Sequence, residues 1–344
     1  MVSHSNNKLV CFVSTPFNPI NLPPPDITII IVNYKTPDYV IDCIASVENM
    51  SNNFSYEIIV VDNASRDGSC DTIRQHCPNV MILENKFNVG FAAANNIAFH
   101  FSNSKNIVLL NSDTLLLNNA LYIMLDFLNR NPSVGLCGPR LYNKDLSIQK
   151  SIAEIPSIIN RMENIISTQY PAIFDIFHIK YNNKYDPSIY DYSITRRIEG
   201  AALTGACLMF RKDILCEIGY LDENFFFYLE EVDWSLGAIK KGWEIWLVSD
   251  AHVMHYHMGS VNKILNTDLE LNIKCKYIES LNYFFLKHYG LLYSVINKVV
   301  FFPIFTMNVI RRLFAYIIYR ENVEINKFKL LLALHMFKAL IKKK

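Results

Sequence analysis

Two apolar runs that each end near an acidic residue place the strongest constraint on the fold of this chain. The run Ile58 to Val61 is followed by Asp62, and the run Ile107 to Leu110 is followed closely by Asp113. Short β-branched and aliphatic runs without polar alternation are typical of strands covered on both faces, as in a parallel sheet. Ligands bind beyond the carboxyl ends of such strands. The pattern therefore predicts a crevice where two carboxylates approach a nucleotide and a divalent cation.

Strand-like and helix-like segments alternate along the first part of the chain. The predicted strands cover residues 27–32, 57–61, 80–83, 106–110 and 134–137, and the predicted helices cover 38–48, a segment from about 71, 90–101 and 118–129. This alternation predicts right-handed βαβ units and a doubly wound α/β sheet. Residues 145–198 are less regular, and we expect helical pieces that cover an acceptor groove. A further strand is predicted at Ala206 to Phe210.

Composition narrows the class of protein. The formal net charge of +1 gives no global electrostatic reason to bind nucleic acid. Apolar residues make up 51% of the chain and aromatic residues 13%, and the mean hydropathy is +0.13. These values favour a membrane-associated protein. The 8 cysteines include no C-x-x-C pair, so we expect reduced thiols in the cytoplasm rather than zinc or disulfides.

The two ends of the chain carry different signals. Residues 1–25 have no long apolar core, so we expect a loose leader and no signal peptide. The apolar stretch Val299 to Ile310 is interrupted by Pro303 and is shorter than the roughly 20 residues of a spanning helix. The tail after Glu324 mixes lysines with apolar residues, which favours a basic helix at an anionic membrane surface. The alternative to membrane contact is a terminal helix that packs on the protein's own core.

Three positions, at strand ends or at a helix start, are candidates for ligand binding. Asp62 can accept the N3–H of a uracil or thymine ring, or it can cap the next helix. Asp113 can ligate Mg²⁺ or Mn²⁺, which prefer hard oxygen donors and bridge diphosphate. Gly90 begins a run of small residues at a helix start, which permits close approach of an anion or tight packing of the helix on the sheet.

Two later segments carry further titratable groups. Glu230, Glu231 and Asp233 follow an aromatic run, so one of them is a candidate general base, although acids also stabilise a helix N-terminus. His255 and His257 lie two residues apart and would face one side of a strand. Both are candidate ligands of Mn²⁺, and a structural role is the alternative.

The ordered set of motifs resembles family 2 glycosyltransferases, and within them the bacterial rhamnosyltransferase-like enzymes. The strings that carry the resemblance are ITIIIVNYKTPDYVIDCIASV, VVDNASRDGS, NVGFAAANNIAF, LLNSDT, GACLMFRKDILCEIGYLDENFFFYLEEVDW and HYHMGS. The resemblance implies a GT-A fold over residues 26–285, with a nucleotide-sugar half at about 26–140 and an acceptor half at about 141–285. Residues 286–344 would then form a helical membrane-associating extension.

The resemblance also implies roles for residues of the donor site. Asn33 and Tyr34 would border the nucleobase, and Asp62 would hydrogen-bond it. The remaining donor-binding positions would be Asn88, Gly90, Asn95 and Ser112.

The resemblance further implies roles in metal binding and catalysis. Asp113 matches the last acid of the family's D-x-D element, with Asn111 where stricter versions carry Asp. His255 matches the family's histidine near the metal, with His257 as a close competitor. Glu231 matches the second acid of the Glu-Asp motif that holds the base, and Glu230 and Asp233 remain alternatives.

The implied activity is an inverting, metal-dependent transfer of a sugar from a dTDP- or UDP-sugar donor to a hydroxyl of a glycan or lipid-linked glycan. The resemblance points to rhamnose as the sugar and to cell-surface polysaccharide assembly, such as that of O-antigen, at the inner face of the cell membrane. The cofactor would be Mn²⁺ or Mg²⁺. A sugar-nucleotide-binding or scaffold protein without turnover is the alternative, because Asn111 and Glu231 depart from the strict motifs.

Overall fold

The computed structural model describes residues 12–13, 23–169, 184–256, 267–318 and 323–342. The strands are β1 (Phe12–Val13), β2 (Ile27–Asn33), β3 (Tyr56–Asp62), β4 (Met81–Glu84), β5 (Asn106–Leu110), β6 (Thr114–Leu116), β7 (Val134–Tyr142), β8 (Ile148–Gln149), β9 (Ile152–Glu154), β10 (Arg196–Arg197), β11 (Ala201–Leu203), β12 (Cys207–Arg211) and β13 (Glu244–His255). The helices are α1 (Pro37–Met50), α2 (Ser69–His76), α3 (Phe91–Phe99), α4 (Ala120–Arg130), α5 (Ile158–Gln169), α6 (Ile214–Ile218), α7 (Glu230–Lys240), α8 (Thr267–Ile318) and α9 (Val323–Ile341).

The main sheet has the strand order β1-β4-β3-β2-β5-β12-β7-β13-β10, with β6 beside β13 and β8 beside β7. Strands β4, β3, β2 and β5 run parallel. Strand β12 is antiparallel to both β5 and β7, and β7 is parallel to β13. The expected α/β class, a mostly parallel sheet flanked by helices, is confirmed.

Both faces of the sheet are covered, as the apolar strands predict. Ile29 and Ile31 of β2 point into a core formed with α1 and α4. Ile30, between them, points into the opposite core with α3, α6 and α7. Because successive side chains of a strand alternate between faces, both sets of side chains of such a strand must be mostly apolar.

The chain divides into two compact units. The first contains residues 1–154, 185–223 and 230–264, and the second contains 155–184, 224–229 and 265–344. The domain limits expected from the sequence remain predictions. The predicted leader contributes to the sheet, because β1 pairs antiparallel with β4.

Two expectations about local structure need correction. Residues 145–198 contain strands as well as a helix, since β8 pairs with β7 and β9 pairs with β11. Pro303 lies inside α8, whose described helical break is at Gly290, with φ of 82°. Proline removes one backbone donor, and the helix nevertheless continues through this position. Within the described residues, one helical stretch, Ile273–Ile318, is long and apolar enough to cross a membrane.

Gly135 of β7 provides a test of packing between the sheet and the helices behind it. A Cβ atom there would lie 2.9 Å from Ile214 Cδ1 and 2.9 Å from Trp243 Cβ. We expect Gly135→Ala to lower the free energy of unfolding by about 1–3 kcal/mol, the usual cost of overpacking. Chemical denaturation measures this. Gly237→Ala is the control, because its Cβ would have a nearest contact of 3.7 Å and alanine favours the helix. Equal effects of the two variants would contradict the prediction.

Candidate functional site

The ends of β2 and β3 lie side by side, with Asn33 paired in register with Asp62. Asn33 Nδ2 donates to Asp62 Oδ1 at 2.7 Å. The Ser65 backbone N–H donates to Asp62 Oδ2 at 3.0 Å, and the Ser65 hydroxyl donates to Oδ1 at 2.5 Å. Helix α2 begins only at Ser69, after Gly68, so Asp62 organises the loop after β3 and does not cap that helix.

The loops that follow β2 and β3 hold residues in the left-handed backbone region. Lys35, Ala64 and Arg66 have φ values of 61°, 64° and 53°. Non-glycine residues seldom adopt this conformation, and it persists where surrounding contacts enforce it. The Lys35 backbone N–H donates to Ser65 Oγ at 2.8 Å. The Asp62 cluster, which comprises Asn33, Asp62 and Ser65, thus fixes both loops at the strand ends.

Asn63 joins the β3 loop to the segment that enters α3. Its Nδ2 donates to Asn88 Oδ1 at 3.0 Å, and its Oδ1 accepts from the Val89 backbone N–H at 3.0 Å. Gly90, with φ of 88°, then precedes Phe91, the first residue of α3. The sequence alone does not distinguish Asn63, because Asn63 directly follows Asp62 in the same motif and carries no separate signal.

Two predicted donor-site residues lie in different surroundings. Tyr34 is half-buried, and the Lys35 ammonium lies 5.4 Å from the centre of its ring. Asn95 is buried in α3, where its Nδ2 donates to the Phe91 carbonyl at 2.9 Å. Within the described part of the chain, Asn95 Oδ1 has no hydrogen-bond partner. Their roles in donor binding remain predictions.

Asp113 and His255 are brought together by the pairing of β6 with β13. His255 lies opposite Thr114, directly after Asp113, and the Tyr256 backbone N–H donates to the Asp113 carbonyl at 2.9 Å. As a result, His255 Nε2 lies 3.4 Å from Asp113 Oδ1. Asp113 is buried, as is the adjacent Ser112. His257 lies outside the described residues.

The Asp113–His255 pair suits a divalent cation by its chemistry. One hard carboxylate oxygen and one imidazole nitrogen converge, which is a donor set acceptable to Mn²⁺. Among the described residues, no group of three or more His, Cys, Asp and Glu side chains can hold a metal. A cation here would therefore share its coordination with other ligands, such as the oxygens of a diphosphate.

The three acids of α7 lie in its first turn but differ in environment. Glu230 is buried, and its Oε2 has no hydrogen-bond partner within the part of the chain that the structure describes. Burial, reinforced by the neighbouring Glu231 carboxylate, raises the pKa of Glu230 well above its ordinary value. Asp233 is buried, whereas Glu231 is half-buried. Tyr228 and Leu229, which precede the helix, have φ values of 67° and 71°.

Glu231 is connected to the Asp113 region through the segment before β12. A Cβ atom on Gly205 would lie 3.4 Å from Glu231 Cγ, so Glu231 lies against the backbone of Gly205. The next residue, Ala206, accepts a hydrogen bond from the Asn111 backbone N–H at 2.9 Å. The glycine therefore leaves room for Glu231 beside the loop that carries Asp113.

The chain matches a protein-family model. Residues 28–219 match the model of glycosyl transferase family 2. The match covers the Asp62 cluster, the Asp113 loop and Gly205, and it ends before α7.

The chain is also similar to individual proteins. It is 26% identical over 234 residues to the N-acetylglucosaminyl-diphospho-decaprenol L-rhamnosyltransferase of Mycobacterium tuberculosis, covering 64% of this chain and 73% of that protein. It is 24% identical over 230 residues to the low-salt glycan biosynthesis hexosyltransferase Agl10 of Haloferax volcanii, covering 62% of this chain and 61% of that protein. The mannosyltransferase PcManGT of Pyrobaculum calidifontis, solved with GDP-Man and Mn²⁺, aligns with a TM-score of 0.49 at 14% identity, covering 96% and 91% of the two chains.

The buried Glu230 predicts a specific dependence of stability on pH. Its pKa is raised above the ordinary value of 4.5 in the folded state, so the folded protein binds more protons than the unfolded protein above that pH. Stability is therefore lost as pH rises, by at most about 1.4 kcal/mol per pH unit. We expect Glu230→Gln to unfold with a larger free energy than the wild type at pH 7.5, and this difference to shrink toward pH 4.

Urea unfolding across this pH range measures the difference. Glu244→Gln is the control with the opposite sign, because a hydrogen bond from Trp246 lowers the pKa of Glu244. If the difference in free energy of unfolding between Glu230→Gln and the wild type stays constant with pH, the pKa of Glu230 is not raised in the folded protein.

Proposed function

The chain belongs to glycosyl transferase family 2, and we propose that it transfers a sugar from a nucleoside-diphosphate donor to a hydroxyl of a lipid-linked glycan, with inversion at the anomeric carbon. One observation carries the proposal. The Asp113–His255 pair, 3.4 Å apart at the end of β5, lies beside the loop that adjoins Glu231. A site for a diphosphate-bound cation and a candidate base are thereby combined in one region.

The Asp62 cluster supports recognition of a uracil or thymine base. Asn33 and Ser65 already hold both carboxylate oxygens of Asp62 in fixed directions. A carboxylate oxygen can accept more than one hydrogen bond, so the imide N–H of a pyrimidine base remains a suitable donor to it. We therefore propose a dTDP- or UDP-linked donor. Tyr34, Asn88, Gly90, Asn95 and Ser112 complete the proposed donor site.

Asp113 and His255 would hold a divalent cation, Mn²⁺ or Mg²⁺, beside the donor diphosphate. Such a cation acts as a Lewis acid that offsets the negative charge on the departing diphosphate. Asn111, where a second carboxylate stands in stricter motifs, contributes its backbone N–H to Ala206. In this assignment the histidine supplies the second protein ligand.

Glu231 is the best placed of the three acids to act as general base. Glu230 is buried and its pKa is raised, so burial favours its neutral form, whereas Glu231 is half-buried beside Gly205. Glu231 would take the proton of the acceptor hydroxyl while that oxygen attacks the anomeric carbon. The bond to the nucleoside diphosphate breaks on the opposite face, so the configuration inverts and no covalent enzyme intermediate forms. Holding donor and acceptor together supplies the proximity contribution.

The similar protein from M. tuberculosis is named for transfer of L-rhamnose to a decaprenyl-diphosphate-linked sugar. We extend this by proposal to the present chain, with rhamnose as the donor sugar and a prenyl-diphosphate-linked glycan as the acceptor. This places the enzyme in the assembly of a cell-surface polysaccharide.

The second unit supports attachment to a membrane surface. In α8 after Gly290, exposed apolar side chains recur at helical spacing, and they include Leu291, Val295, Val299, Phe302, Ile310, Phe314 and Ile317. The opposite side of this helix is buried, as Asn297, Phe301 and Phe305 show. An apolar stripe on one side only is typical of a helix lying in the membrane interface. Arg311 and the exposed lysines of α9, such as Lys327 and Lys338, suit anionic lipid. We propose peripheral attachment at the inner face of the cell membrane.

Replacement of Glu231 by Gln tests the proposed base. We expect kcat for transfer from dTDP-rhamnose to a prenyl-diphosphate-linked N-acetylglucosamine to fall about 10²- to 10⁴-fold, the usual contribution of a positioned base. The affinity for dTDP should stay unchanged, because the glutamine keeps the shape of the side chain. Calorimetric titration of dTDP and a transfer assay measure these two quantities.

Asp250→Asn, which changes an exposed acid of β13, is the matched control and should retain wild-type transfer. Full activity of Glu231→Gln would remove Glu231 from the role of base. Donor binding by the wild type without transfer to any tested hydroxyl acceptor would instead favour a sugar-nucleotide-binding protein.

Leu292 and Val299 are exposed apolar residues seven positions apart on α8, and the membrane proposal predicts that the double variant Leu292→Asp, Val299→Asp binds vesicles poorly. Each apolar side chain withdrawn from lipid forfeits about 1.5–3 kcal/mol, so we expect partitioning to fall by more than about tenfold. Flotation with vesicles of phosphatidylglycerol and of phosphatidylcholine measures this and separates the electrostatic contribution. Ile189→Asp changes an equally exposed apolar residue of the first unit and should still float. Equal flotation of the double variant and the wild type would contradict the proposal.

A further inference from the structure

Gln149 connects three elements beneath His255. It is the last residue of β8 and is buried. Its Nε2 donates to the His255 backbone carbonyl at 3.0 Å and to Asn143 Oδ1 at 2.8 Å. Its Oε1 lies 2.8 Å from His255 Nδ1. Both the backbone and the ring of His255 are therefore bound by one amide side chain.

The chemistry of these contacts fixes the orientation of the amide. A backbone carbonyl can only accept a hydrogen bond, so the amide group facing the His255 carbonyl must be the NH₂ group. The amide oxygen consequently faces His255 Nδ1. Since that oxygen can only accept, Nδ1 must carry the hydrogen. In the neutral ring, the other nitrogen, Nε2, then presents its lone pair on the side where Asp113 Oδ1 lies, 3.4 Å away.

We propose that Gln149 is a positioning residue that holds His255 in the Nδ1–H tautomer and directs Nε2 toward a cation shared with Asp113. The inference rests on the proposed function of Asp113 and His255 as cation ligands. A histidine ligand commonly donates its second N–H to a carbonyl or carboxylate, which fixes the tautomer and the ring orientation. Glutamine performs this here and also anchors itself to the strand that carries the histidine.

The length and polarity of glutamine both matter for this role. Asparagine is one methylene shorter and would not span from β8 to the histidine ring and its carbonyl together. A purely structural link between β8 and β13 needs only the bond from Nε2 to the His255 carbonyl. A positioning role needs the acceptor at Nδ1. These two requirements are separable by substitution.

Two substitutions distinguish a positioning role of Gln149 from a purely structural link. Gln149→Met keeps the length of the side chain but removes its hydrogen bonds to His255 and to Asn143. Gln149→Glu keeps the acceptor for Nδ1–H and loses the donor to the His255 carbonyl. Ser147→Ala is the control in the same turn, because Ser147 bonds Asp145 and Asn143 and not Gln149.

The full-length protein labelled with ¹⁵N-histidine is used for NMR, with His255→Ala to assign the resonance. Long-range ¹H–¹⁵N correlations identify which nitrogen of His255 carries the hydrogen, and electron paramagnetic resonance of free Mn²⁺ gives the affinity for the ion. We expect the wild type and Ser147→Ala to show the Nδ1–H tautomer. Gln149→Met should show a mixed or Nε2–H tautomer and bind Mn²⁺ about 10–100-fold more weakly. Gln149→Glu should recover the wild-type tautomer and most of the affinity.

The outcomes distinguish this inference from the proposed function. An Nε2–H tautomer in the wild type would overturn the inference, even if Gln149→Met failed to fold. Equal loss of Mn²⁺ affinity in Gln149→Met and Gln149→Glu would also overturn it and leave Gln149 as a structural link. If Asp113→Asn leaves the affinity for Mn²⁺ unchanged, the proposed cation site itself is wrong, whatever the tautomer of His255.

Discussion

Parallel pairing of β2 with β3 and β5 is the constraint on which the rest of the site depends. In a parallel pair, both strands end at the same edge of the sheet, so the residues that follow them become neighbours without any sequence proximity. Asn33 and Asp62 are adjacent for this reason, and β5 delivers the Asp113 loop to the same edge. A slip of one residue in register would turn Asp62 toward the opposite face and bury its carboxylate among the apolar residues of the core.

This constraint explains which features were accessible from the sequence. The strands were predictable because a strand covered on both faces is mostly apolar without polar alternation, and residues 29–32 of β2 show this pattern. The acids at the strand ends followed from the same rule. Gln149 was not predictable, because it meets His255 across 106 positions of sequence through the pairing of short strands that carry no periodic signal. Gly205 was not predictable for a related reason. Only the folded structure shows that the Glu231 side chain fills the space beside this glycine.

The acids of α7 show how neighbouring residues of one type acquire different chemistry. Glu230 and Glu231 are consecutive, so they project from the helix in directions about 100° apart. One carboxyl enters the protein, where burial and the adjacent charge raise its pKa, and the other stays half-buried against Gly205. Because two ionised carboxylates this close would repel each other, the neutral form of Glu230 is favoured beside an ionised Glu231. The sequence gives three candidates, and only the environments distinguish them.

The second unit combines several buried polar groups with much exposed apolar surface, which is unusual for a globular core. Arg161 donates to Asn297 at 2.6 Å, and its guanidinium lies 4.0 Å from the centre of the Phe301 ring. Asn297 in turn bonds Asn282. Buried polar groups must be satisfied by hydrogen bonds, so these contacts fix which side of α8 faces α5 and α9. The same contacts leave the apolar stripe of α8 on its exposed side, and the proposed attachment to a lipid surface would cover it.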